Sequence, residues 1–328
     1  MIILVFLSIV SYDALSQGSN NIVSASIKNE SGLKVTPITA VRSENDYLGA
    51  SYCTGTLITW ISDLNKIGIS EDKIKNSVTG LAKGLTKAGI TQAKKAIMTT
   101  DTFSKEITVK FKIGNKTINI CGIAKGSGMI APNMATMLCF IFTDASIAKN
   151  ALDKALEISV ANSFNCITVD GCMSTNDAVM VLANGMAGNE LINAEHNFSV
   201  FTKALQLVCL ELAKMIVRDG EGATKFIRIK IAGAKSHKEA KSVALSIANS
   251  SLFKTAMFAS SSNCLGRIVA AVGASGVDVK EKDLKVSHSL LTKKEVDFKV
   301  LLGRGKSEAI IYTTDLSYEY VKINAEYN

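Results

Sequence analysis

One uninterrupted apolar run constrains the fold of this chain more than any other feature: Met137-Leu138-Cys139-Phe140-Ile141-Phe142. It has the length of a β-strand and ends at Thr143-Asp144. Because apolar residues occupy every position instead of alternate ones, the run is typical of a strand that is covered on both faces. It therefore predicts an α/β protein in which helices are layered on sheets.

A glycine-rich bend leads into this strand. Residues 122–138 read Gly-Ile-Ala-Lys-Gly-Ser-Gly-Met-Ile-Ala-Pro-Asn-Met-Ala-Thr-Met-Leu, so Thr136 stands directly before the buried run. A hydroxyl group between a flexible loop and a rigid strand can be held in one geometry, as nucleophilic catalysis requires. Thr136 is therefore the candidate nucleophile.

The same bend superficially matches a dinucleotide-binding motif at Gly126-Ser127-Gly128. That motif needs glycines that open a helix, whereas Pro132 follows within four residues of the last glycine and the next element is a predicted strand. The spacing of a phosphate-binding Walker loop is also missing, because Lys125 precedes the second glycine. A nucleotide site is therefore not predicted here.

Composition and charge indicate an ordinary globular protein. The 328 residues are 47% apolar and 20% charged, which suffices for one large or two ordinary domains. The net charge is +8, but the lysines are dispersed, which argues against nucleic-acid binding and predicts a field that attracts small anionic metabolites. Seven cysteines without Cys-x-x-Cys spacing indicate neither a disulfide framework nor a zinc site, so we expect a reducing, cytoplasmic compartment.

The first sixteen residues allow two interpretations. Residues 2–10 are apolar and Ala14-Leu15-Ser16 resembles a signal-peptide cleavage site. However, no lysine or arginine precedes the apolar stretch and Asp13 follows it, so a strand is the preferred interpretation. The stretch is too short to span a membrane, and no membrane association is expected.

Apolar spacing elsewhere predicts a mixed order of helices and strands. Helices are predicted over residues 71–87 with Gly89 as the stop, 147–160, 201–215 and 238–248. A hairpin is predicted over residues 107–120 with its turn at Gly114-Asn115-Lys116, and further strands are predicted over residues 226–231, 296–302 and 309–313.

Residues 125–138 resemble the self-cleavage motif of the bifunctional ornithine acetyltransferase / glutamate N-acetyltransferase family of arginine biosynthesis. The similarity covers most of the chain from about residue 50, with further matching segments at 96–102, 163–171, 219–225 and 320–327. It implies a layered α/β sandwich with a smaller carboxyl-terminal lobe. It also implies an alpha-chain segment of residues 1–135, of which 1–50 match poorly, and a beta-chain segment of residues 136–328 that includes the lobe.

The resemblance implies that Thr136 attacks the carbonyl of Ala135, is released as a new amino terminus, and then carries the acetyl group from N-acetylornithine to glutamate. The freed α-amino group would be its base, since such groups titrate near about 7.7 to 8.0, where general bases work well. This chemistry needs no histidine, which fits the residues: the three histidines, His196, His237 and His288, are flanked by polar residues and are expected on the surface.

Further site residues follow from the same resemblance. Thr54 and Gly55 would form the oxyanion hole. The substrate-binding residues would be Thr99, Lys125, Thr136, Glu221 and Asn324, where Lys125 pairs with an α-carboxylate and Glu221 with the amine of ornithine. Spacing alone leaves Thr100 as an alternative to Thr99. No metal or cofactor is implied, while acetyl-coenzyme A stays open as a second donor; the two fragments are expected to assemble as a heterotetramer of two alpha and two beta chains.

The chain departs from the family pattern at several points. Thr56-Leu57-Ile58 replaces the usual Val-Ile-Gly, Cys172-Met173 and Cys264-Leu265 replace polar or aromatic pairs, and Asn328 stands where the family continues to a hydroxyl residue. These changes keep two alternatives open. One is a family member that has lost catalysis, and the other is a related self-processing hydrolase that passes its acyl group to water.

Overall fold

Two β-sheets and seven α-helices make up the part of the chain that the computed structural model describes, which is residues 23–28, 38–40, 89–131, 137–173 and 177–326. The first sheet has six strands: β1 (Val23–Lys28), β2 (Ile38–Ala40), β3 (Lys105–Ile113), β4 (Lys116–Lys125), β5 (Leu138–Thr143) and β6 (Ala178–Ala183). Their spatial order is β2-β1-β6-β5-β4-β3. Only the β5–β6 pair is parallel among these neighbours.

Strand β5 is buried on both faces, as its apolar run predicted. Cys139 and Ile141 point into the main core, which contains helices α2 (Lys149–Ala161) and α3 (Phe198–Arg218). Phe140 points the other way, into a smaller cluster with Ile97 and Ile123. The layered α/β class is therefore confirmed, and β5 lies in the middle of it.

Helix α3 approaches strand β4 closely at Gly122. A Cβ atom at this glycine would lie 2.8 Å from Leu212 Cδ1 and 3.0 Å from Val208 Cγ1. Such distances are below ordinary van der Waals contact, so the small residue lets the helix seat against the strand. The predicted hairpin that contains β4 is confirmed, with a turn at Gly114-Asn115 and Ile113 paired with Lys116.

The second sheet has four strands: β7 (Phe226–Ala234), β8 (Lys285–His288), β9 (Glu295–Leu301) and β10 (Ser307–Thr314). Their order is β10-β7-β9-β8, with β7 and β9 parallel. Helices α4 (His237–Ala248), α5 (Ser251–Phe258) and α6 (Cys264–Ala274) share one apolar core with this sheet. This unit corresponds to the carboxyl-terminal lobe that the resemblance implies.

Serine caps start two helices of this lobe. The Ser236 side chain accepts a hydrogen bond from the N–H of Glu239 at the start of α4, and Ser250 accepts one from Phe253 at the start of α5. Each cap satisfies one of the amide groups that a helix leaves without a partner in its first turn. The predicted helix over residues 238–248 is confirmed, and the Ser236 cap explains why it starts where it does.

Two short helices complete the description: α1 (Gly89–Ala96) and α7 (Tyr318–Glu326). Gly89 is the first residue of α1. The predicted helix over residues 71–87, for which Gly89 was the predicted stop, lies outside the described residues, as does the predicted strand over residues 2–10. The three histidines are exposed, as expected. In the described ranges, no helix combines the length and apolar character needed to cross a membrane.

Candidate active site

The predicted nucleophile does not fall within the residues that the structure describes. Thr136, Ala135, Thr54 and Gly55 fall outside the described residues, so the cleavage site and the oxyanion hole stay predictions. The described chain ends at Ala131 and resumes at Met137, whose N–H donates to Asp177 Oδ1 over 2.7 Å. Because both of these residues are buried, the start of β5 is held in place directly after the position of Thr136.

Glu221 lies against the glycine bend. Its N–H donates to the Ser127 carbonyl oxygen over 2.9 Å. A Cβ atom at Gly128 would overlap the carboxylate of Glu221, so the absence of a side chain at this glycine is what gives the carboxylate its place. The side-chain amide of Asn324 donates to Glu221 Oε2 over 2.8 Å. The structure therefore brings the bend, Glu221 and Asn324 together from three distant parts of the sequence.

Lys125 ends strand β4 and is only 5% exposed. Burial lowers its pKa, and the positive charge of Lys105 acts in the same direction, whereas the carboxylates of Asp101, Asp177 and Glu221 favour the charged form. A buried lysine whose ammonium form is favoured by nearby carboxylates can pair with an anionic group away from bulk solvent. The pairing of a buried lysine with a nearby glutamate suits a ligand that carries both charges.

The two candidate threonines have different surroundings. Thr99 is exposed, and its N–H donates to Asp101 Oδ2 over 3.1 Å. Thr100 is half-buried, and its hydroxyl lies 2.6 Å from the hydroxyl of Ser127 in the glycine bend. The contact places the Thr100 side chain at the bend, so Thr100 stays a candidate for substrate contact next to Thr99.

Helix α7 is attached to the bend through Asp170. This carboxylate accepts hydrogen bonds from the N–H groups of Met129 (2.7 Å) and Ile130 (3.0 Å) and lies 3.4 Å from the hydroxyl of Tyr320. Burial and the charge of Asp170 raise the pKa of Tyr320, so that phenol stays protonated and can donate. Helix α7 is thereby held where Asn324 reaches Glu221.

Sequence reasoning missed three residues that the structure places beneath this site. Asp101, Lys105 and Asp219 form a buried cluster, with Lys105 entirely excluded from solvent. The two aspartates stand inside segments that carried the family resemblance, which was a usable signal. Lys105 gave none, because it opens a strand of alternating character in which a lysine is normally taken as solvent-facing.

Comparison with known proteins places these residues in a family. The ArgJ family model matches residues 66–328. The glutamate N-acetyltransferase of Methanocaldococcus jannaschii is 48% identical over 265 residues, which is 72% of this chain and 65% of that protein. The arginine biosynthesis bifunctional protein ArgJ of Caldanaerobacter subterraneus is 44% identical over 281 residues, 78% of this chain and 70% of that protein.

A solved structure agrees with these relatives. The crystal structure of the arginine biosynthesis bifunctional protein ArgJ from Bacillus halodurans is 40% identical, with a TM-score of 0.55, over 57% of this chain and 98% of that one. The chain thus spans about two thirds of the length of the curated relatives named above. The resemblance drawn from the motif around Thr136 is confirmed, and the protein belongs to the ArgJ family.

Proposed function

We propose that this protein is an acetyltransferase of arginine biosynthesis that moves an acetyl group from N-acetylornithine to glutamate. The observation that best supports this proposal is the position of Glu221. Its carboxylate packs against Gly128 and accepts a hydrogen bond from Asn324, and its charge acts on the buried Lys125. Acetylornithine carries an α-carboxylate and a side-chain ammonium. Lys125 suits the first group and Glu221 the second, since each is an oppositely charged partner in a partly desolvated site.

The proposed activation is self-cleavage before Thr136. The threonine oxygen attacks the carbonyl carbon of Ala135, the peptide C–N bond breaks as the acyl group moves to oxygen, and water hydrolyses the resulting ester. The products are a free carboxylate on Ala135 and a free α-amino group on Thr136. That amino group is the base which the hydroxyl otherwise lacks.

The proposed transfer uses the same oxygen twice. It attacks the acetyl carbonyl of N-acetylornithine, the amide bond breaks, and ornithine leaves with a proton relayed by the α-amino group. The amine of glutamate then attacks the acetyl-threonine ester and restores the free hydroxyl. Thr54 and Gly55 are the proposed donors to the oxyanion in both steps, and loss of one such donor typically costs about 2.7 to 4 kcal/mol of barrier.

Three further parts of the proposal rest on the family alone. Acetyl-coenzyme A would serve as a second acetyl donor, the fragments would assemble as two alpha and two beta chains, and the enzyme would work in the cytoplasm. The names of the relatives from Caldanaerobacter and Bacillus halodurans include the word bifunctional, which supports the first of these. Transfer from acetyl-coenzyme A to glutamate in vitro tests it.

Denaturing mass analysis of the purified protein tests the activation step. Two fragments that meet between Ala135 and Thr136 are expected, together with a single full-length chain from Thr136→Ala. Thr117→Ala, which changes an exposed threonine of β4, serves as the matched control and should be cleaved normally. An intact wild-type chain would contradict the proposal and favour a family member without catalysis.

The fate of the acetyl group tests the transfer step. Cleaved protein is incubated with N-acetylornithine, with and without glutamate, and the products are separated by chromatography. N-acetylglutamate is expected in proportion to the ornithine released. Release of free acetate at the same rate in both reactions would instead identify a hydrolase.

A further inference from the structure

A lysine with no access to solvent lies beneath the candidate site. Lys105 is the first residue of β3, and its ammonium group lies 2.7 Å from Asp101 Oδ1 and 2.5 Å from Asp219 Oδ2. Both carboxylates are themselves buried, at 8% and 4% residue exposure. We call Asp101, Lys105 and Asp219 the buried ion triad.

Each carboxylate of the triad also holds a backbone segment of the site. Asp101 accepts from the N–H of Gly126 over 2.8 Å, directly after Lys125, and from the N–H of Thr99 over 3.1 Å. The carboxylate of Asp101 thus fixes both the end of β4 and the backbone at Thr99. Any movement of Asp101 would therefore displace Lys125 and the backbone at Thr99 together.

Asp219 performs the same task for the second charged residue. It follows the last residue of α3, accepts from the N–H of Thr102 over 3.0 Å and from the Thr102 hydroxyl, and precedes Glu221 by two residues. The turn between them is held by two hydrogen bonds: the N–H of Gly220 donates to the carbonyl oxygen of Val217, and the N–H of Glu221 donates to that of Ser127. Lys105 is the link that joins this turn to Asp101.

We propose that the buried ion triad positions Lys125 and Glu221 relative to each other and sets the electrostatic field at Lys125, with Lys105 as a positioning residue that touches no substrate. This inference rests on the proposed function for the roles of Lys125 and Glu221. The triad itself carries one positive and two negative charges at buried positions, where charges act over longer distances than at the surface.

The triad also has an electrostatic effect, because the charges of Asp101 and Lys105 act on Lys125. Among the described residues, four charged groups act on Lys125: Asp101, Asp177 and Glu221 favour its ammonium form, and Lys105 opposes it. Removing the charge of Lys105 would raise the pKa of Lys125, and removing the charge of Asp101 would lower it. A purely structural fastening would not give changes of opposite sign.

Competitive acetylation of Lys125 by acetic anhydride across pH, read by peptide mass spectrometry, measures this titration without enzyme turnover. Lys105→Met should move the midpoint of Lys125 upward and Asp101→Asn should move it downward, each by about one pH unit. Arg304→Met breaks a partly buried ion pair with Glu239 in the carboxyl-terminal lobe and should leave the midpoint unchanged.

Kinetics supply the second measurement. In both triad variants the KM for N-acetylornithine should rise about tenfold while kcat changes less, since the reacting oxygen is not part of the triad. Midpoints that stay fixed, or that move in the same direction, in folded variants would overturn the inference. If Lys105→Met does not fold, the shift of the Lys125 midpoint in Asp101→Asn decides the question. If the midpoints shift as expected but the wild-type protein transfers no acetyl group, only the proposed function is contradicted.

Discussion

At the scale of single residues, Gly128 decides where a carboxylate can lie. A side chain here would occupy the space taken by the end of the Glu221 side chain. That end is flexible, so it would swing away and the protein would still fold. The loss would fall on the hydrogen bond from Asn324 and on the position of the charge.

Gly128→Ala is therefore expected to separate binding from stability. The KM for N-acetylornithine should rise about tenfold, because the carboxylate of Glu221 would leave the place from which it is proposed to meet the substrate amine, while the free energy of unfolding should change by less than about 1 kcal/mol. Steady-state kinetics and urea unfolding measure the two quantities. The matched control, Gly266→Ala, meets no atom within 4 Å and should leave KM unchanged; an equal effect in both variants would contradict this role of Gly128.

At the scale of elements, helix α6 contains a glycine that no contact requires. A Cβ atom at Gly273 would meet nothing within 4 Å, and the residue does not adopt a positive φ. Glycine inside a helix costs about 0.5 to 1 kcal/mol relative to alanine, mostly through the freedom of the unfolded chain. Gly273→Ala should therefore raise the free energy of unfolding by up to about that amount.

Thermal unfolding followed by circular dichroism measures this gain. Gly276→Ala is the contrasting variant, because Gly276 follows the helix with a φ of +75°, a conformation that alanine adopts only at a cost. The first substitution should raise Tm and the second should lower it. A decrease in both would mean that α6 is not limited by its helix propensity.

The elements that sequence predicted are those with strong apolar spacing. It missed strand β6 and helices α5 and α6 although they contribute buried apolar residues, and it missed β8 and α7, which lack such a signal. Strands β5, β7, β9 and β10 and helices α2, α3 and α4 fall where their patterns put them. Strand β8 has four residues, none of them buried, and α7 has no buried residue at all. These two depend on tertiary neighbours, which local periodicity cannot reveal.

The charged residues that the structure brings together at the candidate site were predicted from the sequence, whereas the residues that hold them in place were not. The motifs around Lys125 and Glu221 identified both side chains by resemblance. The pairing of Lys105 with Asp219, which is 114 residues away, depends on how β3 meets the end of α3. No spacing along the sequence encodes that meeting, so a lysine in an alternating strand looked like a surface residue.

At the scale of the whole molecule, we expect the buried Lys254 to make stability depend on pH. It is 3% exposed, and its ammonium donates to Thr313 Oγ1 over 3.0 Å and to Thr314 Oγ1 over 3.1 Å. Burial lowers its pKa to about 7, although Asp315 and Asp170 favour its charge. Between pH 7 and about 10.4, the value for an unfolded chain, the unfolded protein binds more protons than the folded one.

Stability should therefore rise with pH over that window and stay level below it. The contribution of Lys254 is on the order of a few kcal/mol across the full window. Urea unfolding of the wild type and of Lys254→Met at several pH values measures it: the difference in slope between the two proteins should appear between pH 7 and 10. Lys203→Met, at an exposed position of α3, should keep the wild-type slope, and identical slopes in all three proteins would rule out this role for Lys254.

The strand order of the first sheet determines how the two fragments would be joined if the chain is cut before Thr136, as we propose. Strands β1 and β2 come from the part before the cut, β6 and β5 from the part after it, and β4 and β3 again from the part before it. In this sheet, the two strands of the later fragment therefore lie between two pairs of strands of the earlier one. Once cut, the pieces would share a single folding transition, and dilution alone would not separate them: the broken bond would free a reactive terminus without loosening the sheet that holds it.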